Sequence, residues 1–310
     1  MTKSLQPNLL VILGPTATGK SDLAFFLAQK FDGEVISADS RQVYRGMDLG
    51  TGKITKEEMQ GIPHHLLDSV NPCEQFSVAQ YQELATQVIA EVHSRSHLPI
   101  LCGGTGQYIK AVTRGSELPP VPPNEALRAE LETWETADLA AELERLDPDR
   151  HQIIDRDNRR RLVRAIEIVK ALGKVPELRE SARYRTLTIG LMLDAETLRD
   201  RIHVRLVGRL NQGMLQEVEE LHTGLTHGVS KLAGLSWERL EAFGLEYKYC
   251  AQHLQGRLTE AQMIQKLETE IWRYAKRQMT WFKKFNTDTH WYHPEQREAI
   301  TELVSQWLQH

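Results

Sequence analysis

The stretch Gly14-Pro15-Thr16-Ala17-Thr18-Gly19-Lys20-Ser21 has the residue types and spacing of a loop that wraps a phosphate. Two glycines bracket four residues, and a lysine and a serine follow. Backbone N–H groups and the positive end of the following helix face the anion, Lys20 adds a point charge, and the Ser21 hydroxyl is placed for Mg²⁺. Such a loop holds a diphosphate but does not say what the diphosphate carries.

Two further stretches bear on that question. In EVISADSRQVYRGMDLGTGK, Asp39 closes an apolar run and Ser40, Arg41 and Gln42 add donors beside it. A carboxylate next to a bound diphosphate is electrostatically awkward unless a metal or a proton to be taken up justifies it; the alternative is a turn or helix-cap acid. In LPILCGGTGQY, Gly103, Gly104 and Gly106 permit close backbone approach and Thr105 offers a hydroxyl. No carboxylate follows until Glu117, so the strand-end acid that helps a nucleotide hydrolase hold Mg²⁺ is missing. His64 and His65 in IPHHLLDSV lack a well-spaced third ligand and read as structural.

Charge is segregated although the net charge is only −4. From Arg156 to Arg185 there are ten basic and four acidic residues, and from Ile271 to Thr287 there is no acid. Such tracts bind a polyanion even on a mildly acidic protein. RDNRRRLVRAIEIVKALGK sets Arg156, Arg159, Arg160, Arg161 and Arg164 ahead of a stripe of Leu162, Ile166 and Val169. Read as a helix, IWRYAKRQMTWFKKF puts Trp272, Ala275, Met279 and Phe282 on a core stripe. Arg273, Arg277 and Lys284 fall on an unpaired cationic one. From there Arg277 is expected to reach the loop's ligand, and Lys276, Gln278, Lys283 and Lys284 a nucleic-acid backbone.

These residues need a scaffold. Apolar runs at Leu9–Leu13, Glu34–Ala38, Leu66–Val70, Pro99–Cys102 and Thr188–Leu193 read as buried strands, with helical patterns between several of them. The first helix turns Leu23, Phe26, Leu27 and Phe31 inward and stops at Gly33; Ser77–Ser94 is another amphipathic helix. SELPPVPP at 116–123 breaks the alternation, and only helical periodicity follows to about Tyr184. The expected fold is α/β: a phosphate-loop parallel-sheet core (1–113 and 186–310) with an inserted helical domain (114–185). Cys73, Cys102 and Cys250 form no CxxC pair, no apolar run reaches bilayer length, and MTKSLQPN lacks the apolar middle of a signal peptide. A cytoplasmic chain without a membrane partner is expected.

Taken together, GPTATGKS, ADSRQVYRGMDLGTGK, PHHLLD, GGTGQY, RRLVRAIE (160–167) and AKRQMTWF (275–282) resemble the tRNA dimethylallyltransferases (tRNA isopentenyltransferases) over nearly the whole chain. The resemblance implies transfer of a dimethylallyl group from dimethylallyl diphosphate to N6 of adenosine 37, beside the anticodon, by a monomeric enzyme using Mg²⁺ held at Ser21. It assigns the base to Asp39 and support of the donor to Thr105. Contacts with the tRNA anticodon stem-loop fall to Asp39, Ser40, Arg41 and Gln42, to Arg128, to Arg160, Arg161, Leu162, Val163 and Arg164, and to Lys276, Arg277, Gln278, Met279, Thr280, Trp281, Phe282 and Lys283. The chain departs from the family pattern at GTGKI (50–54, usually GTAKP), at Gln107 (usually Leu), and at FGLEYKY (243–249, where a GYxE-like segment is usual). It has no Cys/His pattern of the eukaryotic C-terminal zinc finger, which implies a bacterial-type enzyme. Two other functions fit parts of the pattern: an adenylate prenyltransferase acting on a free nucleotide, and a P-loop kinase or NTP-dependent nucleic-acid-binding protein.

Overall fold

A computed structural model describes residues 6–177, 179–224 and 234–309. The chain divides into two compact units, one made of residues up to 115 and from 182 onward, the other of Ser116–Ser181. The sequence pattern put these borders at 114 and 185.

The first unit is built on a six-stranded parallel sheet: β1 (Asn8–Leu13), β2 (Gly33–Ser37), β3 (His64–His65), β4 (Leu98–Gly103), β5 (Arg185–Leu191) and β6 (His290–Tyr292), in the order β3-β2-β4-β1-β5-β6. β1 is central, and Leu9 to Leu13 are all fully buried. Its side chains alternate between two cores, the reason a parallel strand reads as an unbroken apolar run. Leu10 and Ile12 pack with Leu23 and Leu27 of α1 (Lys20–Lys30), while Leu9, Val11 and Leu13 pack with Tyr81, Ala85 and Ile89. Phe26 and Phe31, expected inside, only line the edge of the first core. The short α2 (Lys56–Met59) precedes β3; α3 (Val78–Ser94), opened by a Ser77–Gln80 capping box, and α4 (Gly106–Thr113) flank β4.

The sheet differs from expectation at both edges. Leu66–Val70 is not a strand, because Leu66 and Asp68 take φ of 61° and 52° and turn the chain out of line after His65. Val70 rejoins only through an isolated bridge to Tyr44. β6 is too short to show a period in the sequence; it pairs with β5 from Ile189 to Leu191.

In the second unit, α5 (Glu125–Glu132), α6 (Thr136–Leu146), α7 (Pro148–Ile153) and α8 (Arg159–Leu172) enclose their own core of Leu131, Leu139, Leu143, Leu162 and Ile166. The first unit resumes through β5 and continues with α9 (Ala195–Asn211), α10 (Met214–Thr223), α11 (Trp237–Phe243), α12 (Leu245–Leu254), the long α13 (Glu260–Phe285) and α14 (Arg297–Gln309). Among the described residues, no helix is long and apolar enough to cross a membrane.

Candidate active site

In a parallel sheet, ligands collect outside the carboxyl ends of the strands where neighbouring connections diverge. Three loops meet the criterion here: the one after β1, the one after β2, and the one after β4. The loop after β1 is tied internally, since the Thr18 hydroxyl donates to the Pro15 carbonyl at 2.9 Å and Lys20 Nζ donates to the same oxygen at 2.6 Å. Gly19 takes a left-handed φ of 86° as the N-cap of α1, which leaves the first-turn N–H groups facing outward. Ser21 is exposed on that first turn. Burial lowers the Lys20 pKa to about 8, with Arg205 pushing the same way and Cys102 and Asp39 opposing. Cys102 is itself inert: burial raises its thiol to about 12.

Asp39 follows β2 directly. Its Oδ1 accepts from the backbone N–H groups of Arg41 (2.8 Å) and Gln42 (3.4 Å), while Oδ2 carries no hydrogen bond among the described residues. Thr105, the residue before α4, reaches back across the sheet: its Oγ1 accepts from Ser40 N at 3.0 Å and its own N–H donates to Ala38 O at 3.0 Å. The fold therefore brings Asp39 and Thr105 together. The Gln42 amide is spent inside the protein, accepting from Ser37 Oγ and donating to the carbonyls of Thr51 and Gly52.

The loop at 48–53 is braced from α9, α10 and α12. Glu217 accepts from three consecutive N–H groups, those of Asp48, Leu49 and Gly50, and from the Tyr247 hydroxyl at 2.7 Å. Burial raises the Glu217 pKa against these bonds. Arg209 donates to the carbonyls of Leu49 and Gly50 and pairs with Glu246 at 2.8 Å. The two departures at GTGKI and FGLEYKY thus belong to one packed assembly.

α9 carries residues that sequence reasoning missed. Arg201 and Arg205 sit on the face of α9 that also holds Arg209. A β-carbon on Gly19 would lie 3.9 Å from Arg201 Nη1, and one on Gly52 would lie 2.9 Å from Arg205 Nη2. The signal was the spacing 201, 205, 209, which puts three guanidinium groups on one helical face.

α13 corrects the expected helix phase. Its buried residues include Ile271, Ala275, Gln278 and Phe282; Gln278 takes the inward place assigned to Met279, which is only half-buried, as is Trp272. Gln278 is not available to a nucleic-acid backbone: its Oε1 accepts from Thr16 N and its Nε2 donates to Gly104 O, both at 2.9 Å. Phe282 is core. Arg273, expected to be unpaired, bonds Glu270 one turn back at 2.6 Å. Lys276, Arg277, Thr280 and Lys283 are exposed, and Trp281 is half-buried. Arg277 and Lys276 line a groove of about 530 Å³ with Arg273, Thr280, Trp281, Lys284 and Phe285. Cations beside aromatic faces suit stacked bases and phosphates together.

In the second unit the arginine tract is partly spent on structure. Glu167 is buried and accepts from Arg128 at 2.8 and 2.9 Å, from Arg164 at 3.2 Å and from Asn124 N. Burial would raise its pKa, but Arg128, the Asn124 N–H and Arg164 outweigh that and hold it low. Arg164 also caps the Val121 carbonyl, and Arg159 caps those of Trp134 and Leu131. Leu162 is fully buried and Val163 half-buried, so of the expected contacts here Arg160 and Arg161 are the exposed charges. His64 and His65 are structural, bonding Ile62 O and the Glu34 carboxylate. Among the described residues no three or more His, Cys, Asp or Glu side chains gather as a metal cage.

A profile of the IPP transferase family matches residues 42–285. The tRNA dimethylallyltransferase 2 of Citrifermentans bemidjiense is 45% identical over 91% of this chain and 88% of its own length. That of Trichlorobacter lovleyi is 43% identical over 94% and 93%. Among solved structures, the Bacillus halodurans tRNA isopentenylpyrophosphate transferase superposes with a TM-score of 0.71 at 36% identity, covering 98% of this chain and 97% of its own. A eukaryotic dimethylallyltransferase described as acting on tRNA gives 0.80 at 27% identity, covering 97% and 80%.

Proposed function

Since this chain belongs to the IPP transferase family and is an enzyme of the tRNA dimethylallyltransferase type, we propose that it moves a dimethylallyl group from dimethylallyl diphosphate to N6 of adenosine 37 in the anticodon loop, acting as a monomer and releasing diphosphate. The observation that carries this reading is the meeting of three loops at one sheet end: an anion cradle, a carboxylate with a free oxygen, and a threonine between them.

The chemistry follows from charge. As the allylic carbon–oxygen bond breaks, positive charge grows on carbon and negative charge on diphosphate. The outward N–H groups at Gly19–Ser21 and the Lys20 ammonium stabilise the leaving group, and Arg201 and Arg205 add cations. The exocyclic amine of adenine is a poor nucleophile until its proton is taken, and Oδ2 of Asp39 is the oxygen left to take it. Thr105, fixed by its bond to Ser40 N, supports the donor. The adenine must leave its stack to reach this depth.

Mg²⁺ fits the hard oxygen of Ser21, which faces solvent beside the cradle, and would hold there chiefly through diphosphate oxygens and water. When bound, it neutralises charge on the diphosphate. Exposed Arg160 and Arg161 in the second unit, and Lys276, Arg277 and Lys283 on α13, supply phosphate contacts to the tRNA. The test is incubation of the protein with labelled dimethylallyl diphosphate and either an anticodon stem-loop or AMP, followed by nucleoside analysis. Label on stem-loop adenosine supports the proposal; label on AMP alone makes the protein an adenylate prenyltransferase.

A further inference from the structure

Gln278 is the only residue among those described whose side chain bonds both the loop after β1 and the glycine turn after β4. Its Oε1 accepts from Thr16 N and its Nε2 donates to Gly104 O, each at 2.9 Å, and the residue is 7% exposed. The Thr16 N–H is therefore committed to protein, three residues before the helix-end N–H groups that face a ligand begin. Gly104 directly precedes Thr105, whose hydroxyl in turn holds Ser40 N beside Asp39. One amide thus completes a bonded path from the anion cradle to the carboxylate. The neighbours of Gln278 on α13 point the other way, with Lys276, Arg277 and Thr280 exposed along the cationic groove.

We propose that Gln278 is a positioning residue: its amide fixes the separation between the diphosphate cradle and the Thr105–Asp39 pair, so that leaving group and base face one reacting carbon. This rests on the prenyl-transfer reading above. An amide suits the task because it accepts on one side and donates on the other, which no carboxylate, amine or apolar side chain of similar length can do. Neither partner is a side chain that substitution could have tuned; both are backbone groups of turns, so beyond the β1–β4 pairing, which ends at Leu13 and Gly103, this one side chain ties the two loops together. A displacement near 1 Å of reacting groups can cost about 100-fold in rate.

Gly104 offers a reciprocal handle. A β-carbon there would overlap Gln278 Nε2, while its next neighbours, Gln278 Cδ and Gly14 O, stand at 3.6 and 3.8 Å, ordinary packing distances. Gly104→Ala should therefore disturb the site by displacing the amide and in no other way.

The experiment measures four things on wild type, Gln278→Met, Gly104→Ala and the double variant. These are kcat and KM for dimethylallyl diphosphate with a stem-loop RNA, the affinity for inorganic diphosphate with Mg²⁺, the affinity for the RNA, and the melting temperature. Gln278→Met keeps the volume and removes both bonds. The expected result for each single variant is a fall of about 10- to 100-fold in kcat/KM for the donor, with weakened diphosphate binding and RNA affinity within about twofold of wild type. The double variant should be no worse than Gln278→Met alone, because both changes open the same latch. The inference is overturned if donor kinetics stay within about twofold in Gln278→Met, if RNA affinity falls in step with turnover, or if the two losses multiply. A wild-type protein that binds no inorganic diphosphate and transfers no prenyl group instead sinks the functional reading, and the latch's role with it.

Discussion

β2 carries an acid at each end, and the two have opposite tasks. Glu34, at its start, is nearly inaccessible to solvent and is met by His65 at 2.5 Å, His97 at 2.6 Å and Arg95 at 2.8 Å. The Arg95 bond first, then those from His65 and His97, overcome burial and bring its pKa down to about 2. Every lone pair facing the protein is answered, so Glu34 has nothing left to do but hold β2, β3 and β4 in place. Asp39, two residues past the other end, keeps one oxygen bonded and one open, and it lies among the loops where ligands gather. The same residue class five positions apart becomes structure or chemistry according to which end of a parallel strand it occupies and whether its acceptors are used up.

Asp39→Asn should show the largest effect: kcat falling by about 10²–10⁴, the usual scale for a lost general base, with melting temperature and RNA affinity close to wild type. Glu34→Gln should do the reverse. It leaves two half-buried histidines and an exposed arginine facing an amide in place of a carboxylate, so unfolding free energy should drop by about 2 kcal/mol, measured by urea titration, with kcat per folded molecule unchanged. If Glu34→Gln lost turnover while keeping stability, the contrast between the two strand ends would fail.

Acid titration sharpens the same contrast. The Glu34 pKa is lower folded (about 2) than its ordinary 4.5, so its contribution is fully present above pH 4.5 and is lost as pH falls through 2. The acid limb of wild-type stability should flatten in Glu34→Gln. On the alkaline side, Lys20 titrates near 8 when no anion is bound. Its charged form attracts diphosphate, so KM for the donor should rise about tenfold per pH unit once pH passes 8, with a smaller change in RNA affinity. The smallest effect belongs to the second unit: Arg161→Ala should weaken stem-loop binding a few-fold and reduce the slope of log K against log salt by about 1. Glu167→Gln should instead loosen Arg128 and Arg164 and act on the unit's stability.

Local motifs were the legible part of this site. The phosphate loop, Asp39 and Gly-Gly-Thr-Gly are short, and each sits at the end of a strand marked by apolar residues. What the sequence did not disclose depends on partners distant along the chain. Gln278 looked like an outward residue because its neighbours are lysine and arginine; its burial follows from Thr16 and Gly104, 262 and 174 positions away. Arg128 and Arg164 looked free because Glu167, the acid that takes them both, reads as one charge in a basic helix. The arginines at 201 and 205 gained meaning only once α9 was seen to run past Gly19 and Gly52. The strand expected at Leu66–Val70 failed for a backbone reason, two left-handed residues that carry no glycine to mark them.

The most direct test follows the C5 unit and its phosphates together. Purified protein, Mg²⁺, stem-loop RNA and doubly labelled dimethylallyl diphosphate should yield one released diphosphate for each label recovered on N6 of adenosine, and ATP added alongside should remain intact. ATP consumed while the isoprenoid donor stays whole would contradict the account.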